Sequence, residues 1–308
     1  MVKMNRLDQI AKSGELEGIR VVVTGCGYKP VQHIFYDIVT GEPSHDSIIV
    51  NGQEMKLNIG SATSAVLALN GATVHMVSTS MDKLQNIKNS LDSLVGNETQ
   101  IEYSKVDLFD EHSIKELINS LPNDKSVYWV QALGLSGGVY NVKDDNPYLP
   151  IEDIDPKLME AELSVTIATQ KMMREFLPRL KQQKESRIAI ITSMSAIRAY
   201  SLGGTHCAGK AALDKWANSA RLAFYKRPDN IFITTIRPGG VDTGMYDNTV
   251  IQNVIESISD EYTGQYSKHH TYMPPTTVGK SILLAFTVPA HIPSLNLVAK
   301  GQFPHEGS

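Results

Sequence analysis

Two side chains one helical turn apart carry the clearest chemistry in this sequence. His206 is an imidazole, a group that gives or takes a proton near neutral pH. Lys210 follows four residues later. Both lie in the alanine-rich run from Gly204 to Lys226, whose spacing predicts a helix, and residues four apart share a helix face. Ser193 stands 13 residues before His206, just past the apolar run Arg187 to Thr192, which predicts a strand. An ammonium so close disfavours the imidazolium, so His206 is expected as a neutral base. That suits alcohol oxidation or proton abstraction better than carbonyl reduction. Each residue also has a plainer reading: Ser193 as a turn-capping hydroxyl, Lys210 as a solvated lysine, His206 as a bystander. His269 and His270 are adjacent, and with Cys207 and His206 they lack metal-ligand spacing, so no metal site is predicted.

The elements that must position these residues follow from the pattern of apolar residues. Short β-branched or apolar runs predict strands at Gly18–Gly25, Thr73–Ser78, Thr99–Val106, Ser126–Leu133, Arg187–Thr192, Ile231–Ile236 and Ser294–Val298. Between them, helical spacing predicts helices over Asn58–Asn70, Asp82–Leu94, Glu111–Leu121, Asp155–Lys184, Gly204–Lys226 and Thr276–Thr287. In the 155–184 helix the expected apolar stripe is Leu158, Leu163, Ile167, Met172 and Phe176. This alternation predicts an α/β fold, a doubly wound parallel sheet of Rossmann type with helices on both faces. No linker interrupts it, so a single domain over 1–308 is expected, with its core at 18–300. Two segments break the rhythm. Residues 28–57 read as an inserted β-hairpin, with arms His33–Val39 and Ser47–Val50 around TGEPSHD. Residues 244–274, with Tyr246, Tyr262, Tyr266 and Tyr272, read as a loop long enough to cover a substrate.

Composition narrows the function classes. A hydrophobic share of 42% supports a sizeable core, and a net charge of −4 with no basic block argues against nucleic-acid binding. No apolar stretch reaches the length of a membrane span. Only Cys26 and Cys207 are present, which fits a reducing cytoplasm rather than a disulfide framework.

Ligands of doubly wound sheets bind beyond the carboxyl ends of the strands. The residues at those ends carry a resemblance to the short-chain dehydrogenase/reductase family across about residues 18–300. The strongest block is Ser193, then His206 with Lys210-Ala211-Ala212-Leu213, then Pro238-Gly239-Gly240-Val241-Asp242-Thr243. These resemble the family's catalytic serine, its YxxxK helix and its PGxVxT loop. The family's TGxxxGIG is matched by Thr24-Gly25 and by Asn58-Ile59-Gly60, split by the insertion. Val106-Asp107-Leu108 matches the adenine-side aspartate, and Ala132 and Gly134 stand in its NNAG segment.

The resemblance implies roles for these positions. Ser193 orients a substrate oxygen, Lys210 bonds the nicotinamide ribose, and Thr243 with the backbone after Pro238 holds the carboxamide. Thr24, Gly25, Asn58, Ile59 and Gly60 form the phosphate turn, Asn58 as a residue tolerant of left-handed backbone. Asp107 and Leu108 lie at the adenine, with Ala132 and Gly134 beside the turn. The second strand ends in Ser78-Thr79-Ser80 with no acid, which favours NADP(H) over NAD(H). Lys83 or Lys56 supplies the phosphate's counter-charge. The departures are His206 in place of the family's tyrosine and, on the 155–184 helix, Ser164 in place of its asparagine. The implied activity is an NADP(H)-linked oxidoreductase acting on a hydroxyl or carbonyl of a small organic substrate. The implied assembly is a homodimer or homotetramer through helices 155–184 and 204–226. Two other readings stay open: a non-redox cyclase, isomerase, dehydratase or lyase, and a catalytically inactive binding protein.

Overall fold

The computed structural model describes residues 7, 10–37, 40–95, 100–134, 151–199, 203–226, 230–247 and 272–299. Chain order is β1 (Ile19–Thr24), β2 (Tyr28–Pro30), β3 (Ser47–Val50), β4 (Gln53–Leu57), α1 (Ile59–Leu69), β5 (Thr73–Ser78), α2 (Met81–Val95), β6 (Ile101–Lys105), α3 (Glu111–Ser120) and β7 (Ser126–Gln131). Then follow α4 (Pro156–Leu180), β8 (Ser186–Ile191), α5 (Gly204–Tyr225), β9 (Ile231–Pro238), α6 (Pro275–Thr287) and β10 (Ser294–Leu297).

Seven of these strands form one sheet in the order β10-β9-β8-β7-β1-β5-β6, with every pairing parallel. The chain runs outward from β1 to β6, then returns to place β7 on the other side of β1. That reversal is the switch point where such sheets leave a crevice. Alternate residues of β1 feed opposite faces, as the two-residue repeat of a strand requires. Val21 and Val23 pack with α1, α2 and α6, whereas Val22 packs with α3, α4 and α5. Helix α1 is buried along nearly its whole length. Its small residues let α6 cross closely, since a Cβ at Gly279 would come within 3.1 Å of the Thr63 Cα.

The apolar stripe of α4 is not the one expected. Leu158, Met172 and Phe176 are buried, but Leu163 and Ile167 are 38% and 57% exposed. The buried face instead runs through Ala161, Glu162, Val165, Ala168 and Thr169. Apolar residues on two faces of one helix make the choice of face ambiguous from spacing alone.

The insertion is a three-stranded antiparallel sheet, β2-β4-β3, rather than a two-armed hairpin. Its tight turn is Asn51-Gly52, between β3 and β4, with φ of 51° and 79°. Two successive left-handed residues match the twist of paired strands, and Asn-Gly is the pair that adopts them most readily. Of the expected first arm, residues 33–37 are described and hold only a single bridge, Tyr36 to Pro43; Ile38 and Val39 lie outside the described residues. Residues 248–271 are also outside them, so most of the expected covering loop is not described. No helix among the described residues is long and apolar enough to cross a membrane.

Candidate active site

The turn expected to hold the phosphates is split in sequence but closed in space. Asn58 caps α1, its Oδ1 accepting from the backbone N–H of Ser61 at 3.0 Å and of Gly27 at 3.2 Å. Its Nδ2 donates to the Gly25 carbonyl at 2.8 Å, and its own N–H donates to the Gly27 carbonyl at 3.1 Å. Ser61 grips Gly27 from both sides, its hydroxyl accepting from the N–H at 2.8 Å and donating to the carbonyl at 2.9 Å. The insertion therefore leaves and returns at one point. Asn58 has φ −81°, not the left-handed backbone anticipated for it. An asparagine stands there because its amide stitches the two halves, a capping role.

Gly25 and Gly60 serve close approach. Gly25 has φ +84°, and a Cβ on it would lie 2.6 Å from the Ala132 carbonyl oxygen. One on Gly60 would lie 2.8 Å from the Gly25 oxygen. The N–H groups of Ile59 and Gly60 have no acceptor among the described residues and head the positive end of α1. Among the described residues nothing lies within 4 Å of a Cβ placed at Gly134. Thr24, in contrast, is fully buried, and its hydroxyl donates to the Val130 carbonyl at 3.2 Å and accepts from the Trp129 indole. That hydroxyl ties β1 to β7.

Burial also marks Cys26, inside this turn. It pushes the thiol from 9.0 up to about 11, against the opposing bonds to Ser64, Val77 and Ser61. A raised folded-state value means stability present below pH 9 is lost as pH climbs towards 11. Two units correspond to about 2–3 kcal/mol. Denaturant titrations from pH 8 to 11 should show a steeper alkaline decline for the native chain than for Cys26→Ala. Parallel curves would contradict this.

The ends of the next strands are placed as the sequence suggests, with one correction. Ser78, Thr79 and Ser80 follow β5, and Lys83 stands over the Tyr28 ring, its ammonium donating to the Tyr28 carbonyl at 3.2 Å. Lys56 is not available as a second counter-charge. It is fully buried, bonded to Asp242 at 2.6 Å and Asp247 at 2.8 Å, and lies 5.1 Å from the Phe35 ring centre. Asp107 is exposed after β6, where its carboxylate accepts from the Phe109 N–H at 2.9 Å, a helix-start turn. Leu108 is buried beside it.

The insertion is fastened to the turn after β9. Ser44 donates to Asp242 at 2.9 Å, Asp247 accepts from the N–H groups of Gln32 and His33, and Asp46 accepts from the Thr276 N–H at 2.7 Å. Burial raises the Asp242 carboxyl, and Lys56, Ser44 and His45 pull it back. In that same turn Pro238 ends β9, the Gly239 N–H bonds the Leu297 carbonyl, Val241 bridges Met273, and the Thr243 N–H reaches the Val241 carbonyl. The turn that should face the nicotinamide is thus clamped to the inserted sheet.

The residues expected to move a proton lie on α5 and in the turn after β8, beside α4. Ser193 caps the 3-10 turn Met194–Ala196, accepting from the Ser195 N–H at 3.1 Å, and its hydroxyl lies 2.8 Å from that of Ser195. Helix α5 packs on this turn. His206 and Lys210 lie on α5 as expected. The Ser164 hydroxyl donates to the Ala161 carbonyl of its own helix at 2.6 Å. The residue that reaches across from α4 is Glu162, 4% exposed, with Oε1 3.3 Å from His206 Nδ1. Sequence reasoning missed it, because the apolar residues of α4 pointed to a different buried face. The surroundings of His206 are therefore not purely cationic, as a count of Lys210 alone implied. Lys210 has no hydrogen-bond or ion-pair partner among the described residues. Burial pushes its ammonium below the ordinary lysine value, opposed by Glu162. Among the described residues no three His, Cys, Asp or Glu side chains are arranged to hold a metal ion.

Comparison with known proteins agrees with this geometry. The family model described as short chain dehydrogenase matches residues 49–253. An uncharacterized oxidoreductase of Listeria monocytogenes is 23% identical over 219 residues, 71% of this chain and 79% of its own. Among solved structures, the NADPH-bound short chain oxidoreductase of Pseudomonas aeruginosa with an atypical catalytic center is similar at TM-score 0.67 and 15% identity, over 96% of this chain and 100% of that one. An alcohol dehydrogenase of Thermococcus sibiricus complexed with 5-hydroxy-NADP is similar at TM-score 0.63 and 18% identity, over 93% and 99%. L-sorbose reductase of Gluconobacter frateurii, with NADPH and L-sorbose, is similar at TM-score 0.65 and 16% identity, over 95% and 97%. With its switch-point crevice, its closed phosphate turn and the family match over two thirds of its length, the chain belongs to the short chain dehydrogenase family and is an oxidoreductase.

Proposed function

We propose that this oxidoreductase uses NADP(H) on a hydroxyl or carbonyl of a small organic molecule. The observation that carries the reading is the Lys210 ammonium on α5, which has no hydrogen-bond or ion-pair partner among the described residues, together with the N–H groups of Ile59 and Gly60, which have no acceptor among them at the head of α1. A half-buried cation with no protein anion bonded to it is free to pair with the oxygens of a ligand. When bound, a nicotinamide nucleotide supplies hydride exchange with a substrate carbon. Lys210 holds the ribose hydroxyls, the start of α1 faces the pyrophosphate, and Pro238, Gly239, Val241 and Thr243 border the nicotinamide. Ser193 orients the substrate oxygen and His206 exchanges its proton. Lys83 with Ser78 and Thr79 favours a 2′-phosphate, because no carboxylate stands at the end of β5 to bond a free ribose diol. NADP or NADPH in the three similar structures supports this preference.

Titrating the protein with NADPH and with NADH, read by nicotinamide fluorescence, tests the proposal. NADPH should bind roughly tenfold tighter, as expected for one charge-assisted contact. Lys210→Met should weaken NADPH by about tenfold or more. Binding of neither nucleotide would refute the reading and favour a non-redox enzyme. The same reading includes a homodimer or homotetramer through α4 and α5, supported by the exposed Leu163, Ile167, Leu222 and Tyr225 on those helices.

A further inference from the structure

We propose that Glu162 is a positioning residue that holds His206 with Nδ1 protonated and Nε2 as the nitrogen that takes the proton of a substrate hydroxyl. The proposal rests on the oxidoreductase reading above and adds the atom that accepts the proton. Three observations carry it. Glu162 is almost wholly buried, and among the described residues His206 is its only hydrogen-bond partner. A carboxylate accepts only, so the ring nitrogen facing it must carry the proton, which leaves Nε2 as the nitrogen without one. The helices are also shaped for the pairing. A Cβ at Gly209 would come within 2.7 Å of the Glu162 Cβ, 2.9 Å of its Oε2 and 3.1 Å of its carbonyl oxygen. Only glycine lets α4 approach α5 so closely, between His206 and Lys210.

A buried acid is a poor choice for packing alone, since an apolar side chain of similar volume would fill the site without desolvating a charge. Its use is to balance charge. In the oxidising direction the substrate O–H bond breaks and its proton goes to Nε2. The C–H bond breaks and its electron pair leaves as hydride to the oxidised nicotinamide nucleotide. The carbon is oxidised to a carbonyl, the nucleotide is reduced, and the new imidazolium lies against the Glu162 carboxylate. A carboxylate that orients an imidazole and stabilises its cation is an effective partner for a base.

The test has a spectroscopic arm and a kinetic arm. Nitrogen-15 NMR of histidine-labelled full-length protein reports which ring nitrogen bears hydrogen, with His206→Gln assigning the signal. The native chain should show His206 as the Nδ1–H tautomer. Glu162→Leu should move it towards the Nε2–H form, whereas Glu162→Gln, whose amide oxygen still accepts, should keep it. A native Nε2–H tautomer, or a signal unmoved in a folded Glu162→Leu protein, would overturn the proposal whether or not any substrate is found. In the kinetic arm, a panel of small primary and secondary alcohols is incubated with NADP⁺ and followed by NADPH formation. Glu162→Gln should lower kcat by roughly tenfold or more, with the His206 tautomer kept. Unchanged kcat would also overturn the proposal. Loss of nucleotide binding by the native chain, in contrast, would remove the oxidoreductase reading and leave the tautomer result to stand alone.

Discussion

Replacing Lys56 with methionine is expected to destabilise the protein by about 3–5 kcal/mol, the range for removing one member of a buried ion pair. Lys56 is wholly buried, and its ammonium bonds both Asp242 and Asp247. Methionine keeps the aliphatic stem but leaves two carboxylates without their cation. Neutralising them as well, in a Lys56→Met, Asp242→Asn, Asp247→Asn protein, should recover much of the loss, since the cost lies in the stranded charges. The deficit should also shrink as pH falls. Burial raises the Asp242 carboxyl in the folded state, so the folded chain takes up its proton before the unfolded chain does and acid relieves the penalty. Urea denaturation at pH 7.5 and pH 5 measures both effects. A single variant within about 1 kcal/mol of the native chain, as for an exposed pair, would show that the cluster does not hold the insertion down.

Gly25→Ala should be nearly as severe and should act on the nucleotide as well as on the fold. The position has φ +84°, where a side chain adds about 1–2 kcal/mol of strain. Its Cβ would meet backbone, not a yielding side chain: the Ala132 oxygen at 2.6 Å, the Ala132 carbon at 2.7 Å and the Leu133 nitrogen at 2.7 Å. Relieving that overlap by shifting the ends of β1 and β7 costs a further 1–3 kcal/mol, roughly. A displacement of about 1 Å there should lower turnover on the order of a hundredfold. Gly134→Ala is the comparison, since a Cβ there meets nothing within 4 Å among the described residues, and its folding stability should stay within about 0.5 kcal/mol of the native chain. Equal stability of the two variants would refute the account of Gly25.

The strands and helices of the main sheet could be read from the sequence because buried parallel strands are dense in β-branched residues. Val21, Val22 and Val23 are an example, all fully buried. The placement of His206 and Lys210 on one helix was equally legible, being local. What escaped was non-local. Lys56 meets partners 186 and 191 residues away in sequence, and no spacing rule links them. Glu162 lies 44 residues before His206, and only the crossing of α4 over Gly209 brings them together. The face of α4 was misassigned because Leu163 and Ile167 also fit a helical repeat. The three-stranded insertion was hidden for a different reason. Its Asn51-Gly52 turn was a strong local signal, but the aromatic and β-branched run at 33–39 drew the strand assignment away from it.

The stitching of Gly27 to Asn58 has a consequence for how this chain can change. The excursion begins and ends at a single doorway, so its length is decoupled from the path of the turn beneath it. Residues could be added or removed beyond Tyr28 and Leu57 without lengthening the span from Gly25 to Gly60. Such a junction is a natural grafting point: a different small sheet could be spliced in at the same threshold, provided it brought a cation to replace the one at position 56.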